Sequence, residues 1–138
     1  VREAVLAIRR RKAMVIDPAD IDSRSVGSFF VNPVVSPEEL KEIAERARRL
    51  APADPAIPTF PAPDNRVKLS AAWLIERAGF ARGYCHGNVG ISSKHALAII
   101  NRGGGTAREV IELAELIKAR VFETFGVHLT PEPILVGV

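Results

Sequence analysis

The sequence predicts an α+β fold: a single compact mixed domain of short strands and about four helices. Three observations predict it. Two segments, Ser36-Pro37-Glu38-Glu39 and Thr106-Ala107-Arg108-Glu109, carry helix-start signals and lead into apolar residues at helical spacing. Two runs, Ser28 to Asn32 and Ala96 to Ile100, have the length and composition of strands. Strands and helices alternate along 138 residues, a length that suits one domain with a real core.

Each element can be justified in order. Val1 to Met14 reads as a helix with Val1, Val5, Leu6 and Ile8 as its apolar stripe. Arg9-Arg10-Arg11-Lys12 closes it, and cations there complement the negative end of the helix dipole. Asp17 to Arg24 is a polar loop punctuated by Pro18. If Ser28 to Asn32 is extended, Ser28, Phe30 and Asn32 share one face, with Phe29 and Val31 on the other. Gly27 lets another group approach the backbone beside Ser28.

The second helix begins at an N-cap, Ser36, with Pro37 at the first helical position, and buries Leu40, Ile43 and Ala44. From Ala51 to Asn65 the chain carries five prolines, at 52, 55, 58, 61 and 63, which predicts a long irregular surface loop. Phe60 in that loop is placed to cover a ligand. Val67 to Ala78 reads as helix with Gly79 as its stop. Phe80 to Gly90 reads as a glycine-rich turn region, and Ala96 to Ile100 as a buried strand. The Thr106 capping box then opens the strongest helix, running through Val110, Leu113, Ile117, Val121 and Phe122 to Gly126. Leu129 to Val138 reads as a terminal strand interrupted by Pro131 and Pro133.

Composition narrows the function classes. The hydrophobic fraction of 47% and charged fraction of 25% are those of an ordinary soluble globular domain. A formal charge of +3 permits an anionic partner without demanding nucleic acid. The single cysteine, Cys85, excludes an internal disulfide and fits a reducing compartment, so a cytoplasmic location is expected. No apolar run approaches the roughly 20 residues of a membrane span, so no membrane partner is expected. The chain starts without methionine inside a helical pattern, which suggests a piece of something longer.

Few side chains suggest chemistry. Ser28 offers a proton donor on a short rigid run, although an ordinary edge strand with a solvated serine also fits. Glu132 stands between Pro131 and Pro133, so its carboxylate is held on a stiff extended segment and is a candidate general acid. An exposed glutamate at a strand start is the plainer alternative. Gly103-Gly104-Gly105 before a capped helix could hold a phosphate, but it lacks the Walker lysine and the dinucleotide-binding spacing. A strand-to-helix turn explains it more simply. Cys85, His86, His95 and His128 have no metal-ligand spacing, so no metal site is expected, and no Ser-His-Asp arrangement is apparent.

Several segments together resemble one family. They are Arg9 to Met14, Ser25-Val26-Gly27-Ser28-Phe29-Phe30-Val31-Asn32-Pro33, Val67 to Glu76, Lys94 to Asn101, and Phe125 to Pro133. In this order the chain resembles the C-terminal region of UDP-N-acetylenolpyruvoylglucosamine reductases, bacterial flavoenzymes of peptidoglycan precursor synthesis. The resemblance covers essentially the whole chain, and Gly-Ser-Phe-Phe-x-Asn-Pro is its most specific part. It implies one substrate-binding domain over residues 1–138, with the flavin-binding domain absent from this sequence.

The resemblance also implies a reaction. NADPH reduces bound FAD, hydride passes to the enolpyruvyl group of UDP-N-acetylglucosamine enolpyruvate, and a proton completes UDP-N-acetylmuramate. Ser28 matches the serine that donates this proton, and Glu132 matches the assisting carboxylate. Lys12, Asn32 and Lys68 fall at positions that contact the nucleotide diphosphate or its neighbours, and Arg9 joins them. His95 stands where some members have glutamine, and Phe60 where some have tyrosine. The family's catalytic arginine lies in the missing portion. FAD and NADPH are expected in the full-length enzyme, none bound to this piece alone. The competing expectation is a non-catalytic anion- or nucleic-acid-binding module built on Arg9 to Lys12.

Overall fold

The computed structural model describes residues 1–137. Among the described residues, two antiparallel sheets and three of four helices enclose one core, in line with the α+β expectation. The first helix, α1 (Arg2–Arg11), ends in Arg9, Arg10 and Arg11 and buries no residue; Val5 and Ile8 lie on the surface. Ala13 at φ +55° then reverses the chain, with Met14 N–H donating to the Arg9 carbonyl at 2.8 Å. A single 3₁₀ turn, Ile21–Ser23, leads into β1 (Ser25–Ser28).

The strand lies earlier than the expected Ser28 to Asn32. It stops at Ser28, and Phe29 and Phe30 are both buried rather than divided between two faces. Each ring finds a place in the core, meeting the other edge-on at 5.2 Å. After β2 (Val34–Val35), Ser36 and Glu39 form the complete capping box of α2 (Pro37–Leu50).

The proline-rich segment is not wholly irregular. It contains β3 (Thr59–Ala62), paired with β4 (Arg66–Leu69). Pro61 is tolerated because β3 is the edge of the sheet β2–β4–β3. Asp64 and Asn65, both at positive φ, make the tight turn between the strands. The helix expected from Val67 therefore starts only at α3 (Ala71–Arg77). Val67 and Leu69 obey a two-residue period inside β4, and Ser70 caps the helix by accepting from Trp73 N–H at 3.2 Å.

The glycine-rich region also holds regular structure, β5 (Cys85–His86) and β6 (Val89–Ile91). With β7 (Ala98–Asn101) they complete the sheet β1–β7–β6–β5. The helix α4 (Ala107–Phe125) starts at the Thr106 capping box and ends at Gly126, φ +72°. Its buried stripe of Leu113, Ala114, Ile117, Val121 and Phe125 packs the core with Leu69, Leu74, Ile75 and Phe80. Each such aliphatic side chain contributes roughly 1.5–3 kcal/mol by leaving water. Trp73 and Phe125, with ring centroids 5.9 Å apart, join α3 to α4.

No terminal strand forms among the described residues after Leu129. The segment makes one antiparallel bridge, Phe30 with Pro131, and the prolines on both sides of Glu132 lack the N–H groups a longer ladder needs. Val138, the last residue of that expectation, lies outside the described residues.

Candidate active site

Ser28 is the last residue of β1, half-buried, opposite Ala98 of β7. Ser25 stands opposite Ile100, so three steps along β1 match two along β7. The extra residue is a bulge, a device that re-aims the side chain beside it. Gly27 serves this bend at φ +87°, where a side chain would be strained. A Cβ there would come no closer than 4.0 Å to Met14 Sδ, so backbone conformation rather than close approach of another group requires the glycine.

Glu132 reaches Ser28 from the far end of the chain. Its N–H donates to the Phe29 carbonyl at 2.8 Å, while Val31 N–H donates to Thr130 at 2.9 Å. These two bonds straddle the Phe30–Pro131 bridge and fix Glu132 one residue along from the serine. Val26, Gly27, Ser28, Glu132 and Pro133 line one open concavity of about 460 Å³. A hydroxyl donor and a carboxylate thus share a surface, an arrangement suited to delivering a proton.

Asn32 does not face that concavity. Its Oδ1 accepts the N–H of Ala71 at 2.9 Å, satisfying one of the free donors at the start of α3. The alternation that would have put Asn32 beside Ser28 fails because the strand ends before Phe29.

Lys12 and His95 form a second group near this edge. Lys12 is the C-cap of α1, with Arg9 in the last turn before it. His95, half-buried, accepts the N–H of Leu97 on Nδ1 at 3.0 Å. Burial, and then the Lys12 ammonium, push its pKa below the usual histidine range. Phe60 and Lys68 lie elsewhere, paired across β3 and β4 on the exposed side of the second sheet, with Val34 beyond Lys68.

The loop that carries His95 is pinned by residues the sequence reading missed. Asp22 is buried and accepts from Ser93 N–H at 3.0 Å, Ser92 Oγ at 3.3 Å and the Ser93 hydroxyl. Lys94 meets Asp20 at 2.5 Å, an ion pair that lowers the carboxyl pKa and raises that of the ammonium. Nothing local signals these pairs, since their members lie far apart in sequence.

The remaining candidates have structural explanations. Asn101 Oδ1 accepts from Gly103 N–H at 2.9 Å and Gly105 N–H at 3.0 Å. That leaves the glycine turn closed on its own asparagine, and it does not fit a flavin or nucleotide phosphate. His128 stacks on Phe122 at 4.3 Å, and His86 lies 3.7 Å from Glu112. No group of three metal-ligating side chains occurs among the described residues. Among the described residues no helix is long and apolar enough to cross a membrane.

Fold and edge define a two-sheet α+β domain that presents a hydroxyl donor beside a carboxylate, with basic residues at the end of an exposed helix. The chain belongs to the family described as UDP-N-acetylenolpyruvoylglucosamine reductase, C-terminal domain, whose model matches residues 17–136. A protein named UDP-N-acetylenolpyruvoylglucosamine reductase from Thermobifida fusca is 51% identical over 138 residues, covering 100% of this chain and 39% of the relative. The protein of that name from Mycobacterium ulcerans is 53% identical over 140 residues, covering 99% and 36%. That from Saccharopolyspora erythraea is 50% identical over 137 residues, covering 98% and 37%. The chain thus spans a little over a third of the length of these curated relatives. None of these matches favours the nucleic-acid-binding alternative.

Proposed function

We propose that this chain is the substrate-binding and proton-donating domain of a reductase that converts UDP-N-acetylglucosamine enolpyruvate to UDP-N-acetylmuramate in peptidoglycan synthesis. The observation that carries the reading is the bond from Glu132 N–H to the Phe29 carbonyl, which brings Glu132 to the concavity that Ser28 lines. In this reading Ser28 gives its proton to the reduced enolpyruvyl carbon, and Glu132 assists that transfer. Arg9 and Lys12, together at the end of α1, are cations for the nucleotide diphosphate. His95, beside Lys12, contacts the adjoining part of the substrate, while Phe60 and Lys68 offer a separate contact across β3 and β4, and Asn32 serves the start of α3 instead.

The electrons come from elsewhere. In this reading FAD and NADPH are held by the rest of the full-length protein, and the glycine cluster here, closed by Asn101, does not hold them. NADPH-dependent peptidoglycan precursor synthesis places the enzyme in the cytoplasm. This chain by itself is a colourless domain without reductase activity.

Titration of the full-length protein with UDP-N-acetylglucosamine enolpyruvate and with duplex DNA, each at two salt concentrations, tests the reading. Sugar-nucleotide binding is expected. Strong DNA binding that falls steeply with salt, without sugar-nucleotide binding, would instead establish the basic end of α1 as the functional surface.

A further inference from the structure

Three hydrogen bonds run in series from His95 to Glu132. His95 Nδ1 accepts from Leu97 N–H at 3.0 Å. The Leu97 carbonyl accepts from Phe29 N–H at 2.7 Å, and the Phe29 carbonyl accepts from Glu132 N–H at 2.8 Å. Leu97 and Phe29 therefore have both backbone groups committed, one toward His95 and the other toward the Ser28–Glu132 edge.

We infer that His95 is a positioning residue for the Ser28–Glu132 pair, its unprotonated Nδ1 fixing the Leu97 turn against which Phe29 and Glu132 are registered. The inference rests on reading Ser28 and Glu132 as the groups that handle the proton. It is distinct from contact between the histidine and the nucleotide, which calls only on the outward side of the ring.

The chemistry of the ring supports it. By accepting the N–H two residues on, Nδ1 does what an asparagine or aspartate oxygen does in an Asx turn. A neutral imidazole has one donor and one acceptor, so acceptance at Nδ1 puts the proton on Nε2. Protonation of the ring would abolish the acceptor. Burial and Lys12 both oppose that protonation, and the adjacent Lys94 is turned to Asp20. The base of the loop is immobilised as well, through Asp22 and the serines at 92 and 93. The start of the loop is thus held by Asp22, and displacement of Leu97 would be passed to Phe29 through the bond between them.

Asparagine and glutamine separate the two roles, because Asn Oδ1 reaches the place of Nδ1 and Gln reaches the place of Nε2. In the full-length protein, amide hydrogen exchange is measured at Leu97, Phe29 and Glu132 for wild type, His95→Asn, His95→Gln and His95→Phe. Loss of one net hydrogen bond corresponds to exchange faster by roughly threefold to tenfold. That increase is expected at all three amides in His95→Phe and His95→Gln, together with a lower kcat for enolpyruvyl reduction. His95→Asn is expected to recover the protection and to recover kcat relative to His95→Phe. Unchanged protection at Phe29 and Glu132 in His95→Phe, with only KM raised, would overturn the inference and leave His95 as a nucleotide contact. If the variants do not fold, ¹⁵N-histidine spectra of the wild type decide: a proton on Nε2 supports the inference, and a proton on Nδ1 overturns it. Absence of reductase activity in the wild type would instead count against the proposed function, while the exchange and tautomer results still judge the His95 linkage.

Discussion

Glu132 is tied to Phe29 by its backbone, not by its side chain: its N–H donates to the Phe29 carbonyl at 2.8 Å and leaves the carboxylate exposed beside Ser28. Position and chemistry are thus separate at this residue. A substitution that changes only the carboxylate keeps the anchor.

Glu132→Gln is accordingly expected to fold normally, with a stability change within about 0.5 kcal/mol, the usual range for exposed positions. In the full-length enzyme it should slow enolpyruvyl reduction, and flavin reduction by NADPH should be spared. Chemical denaturation and stopped-flow kinetics check the two halves of this expectation. Equal slowing of both half-reactions would remove Glu132 from proton handling.

Gly27→Ala should destabilise the protein by about 1–3 kcal/mol, because an alanine must adopt φ +87° where nothing crowds its methyl group. The cost is conformational, so Gly27→Asn, which tolerates positive φ better, should lose less. Urea unfolding of the two variants measures the difference. Equal losses would mean that contact with Met14 matters more than the bend.

Thr106→Ala should cost about 1 kcal/mol, since the threonine Oγ1 accepts the Glu109 N–H at 3.2 Å and anchors the helix that brings Leu113, Ala114, Ile117, Val121 and Phe125 to the core. Glu109 itself has a lowered pKa, first from its bond to the Thr106 backbone and then from that to Asn88. A depressed carboxyl pKa stabilises the fold above the unfolded value, near 4.5, and that stability is lost as pH falls through the lower folded value. Glu109→Gln should therefore flatten the acid limb of the stability profile measured by thermal unfolding.

His95 gives a second pH signature. Its folded pKa lies below the ordinary 6.5, so the folded state binds fewer protons than the unfolded state between those values. Stability is full above pH 6.5 and declines as pH falls toward the folded value. The thermal midpoint of His95→Asn should consequently change less than that of wild type between about pH 7.5 and pH 5. An unchanged slope would show that the ring is free to titrate.

How much of this could be read from the chain follows from where the signals lie. The caps at Ser36 and Thr106 were legible because four consecutive residues contain the whole device, and both form complete capping boxes. The strand β4 was not, because Val67 and Leu69 run straight into Ala71, Leu74 and Ile75, and a two-residue period merges with a helical one at Ser70. The edge strand β3 was hidden by Pro61, whose tolerance depends on a position in the sheet that only the folded topology defines. At the site, Ser28 and Glu132 were recognisable singly, from a glycine-serine-aromatic run and from flanking prolines. Their proximity and the turning away of Asn32 depend on the end of β1 and the single bridge to Pro131. The Leu97 link could not be read at all, since it is made of backbone groups.

The most direct measurement is on Ser28→Ala in the full-length enzyme, with the two half-reactions followed separately by flavin absorbance. Ser28 stands at the bulge beside Glu132 and is paired to β7 through its backbone, which alanine keeps, so the variant should fold and NADPH should reduce its flavin at nearly the wild-type rate. Reoxidation by UDP-N-acetylglucosamine enolpyruvate should be slower by on the order of 10²–10⁴-fold or more, the usual contribution of a positioned general acid. Reoxidation at the wild-type rate, or an equally severe loss in flavin reduction, would contradict the assignment of Ser28 as the proton donor.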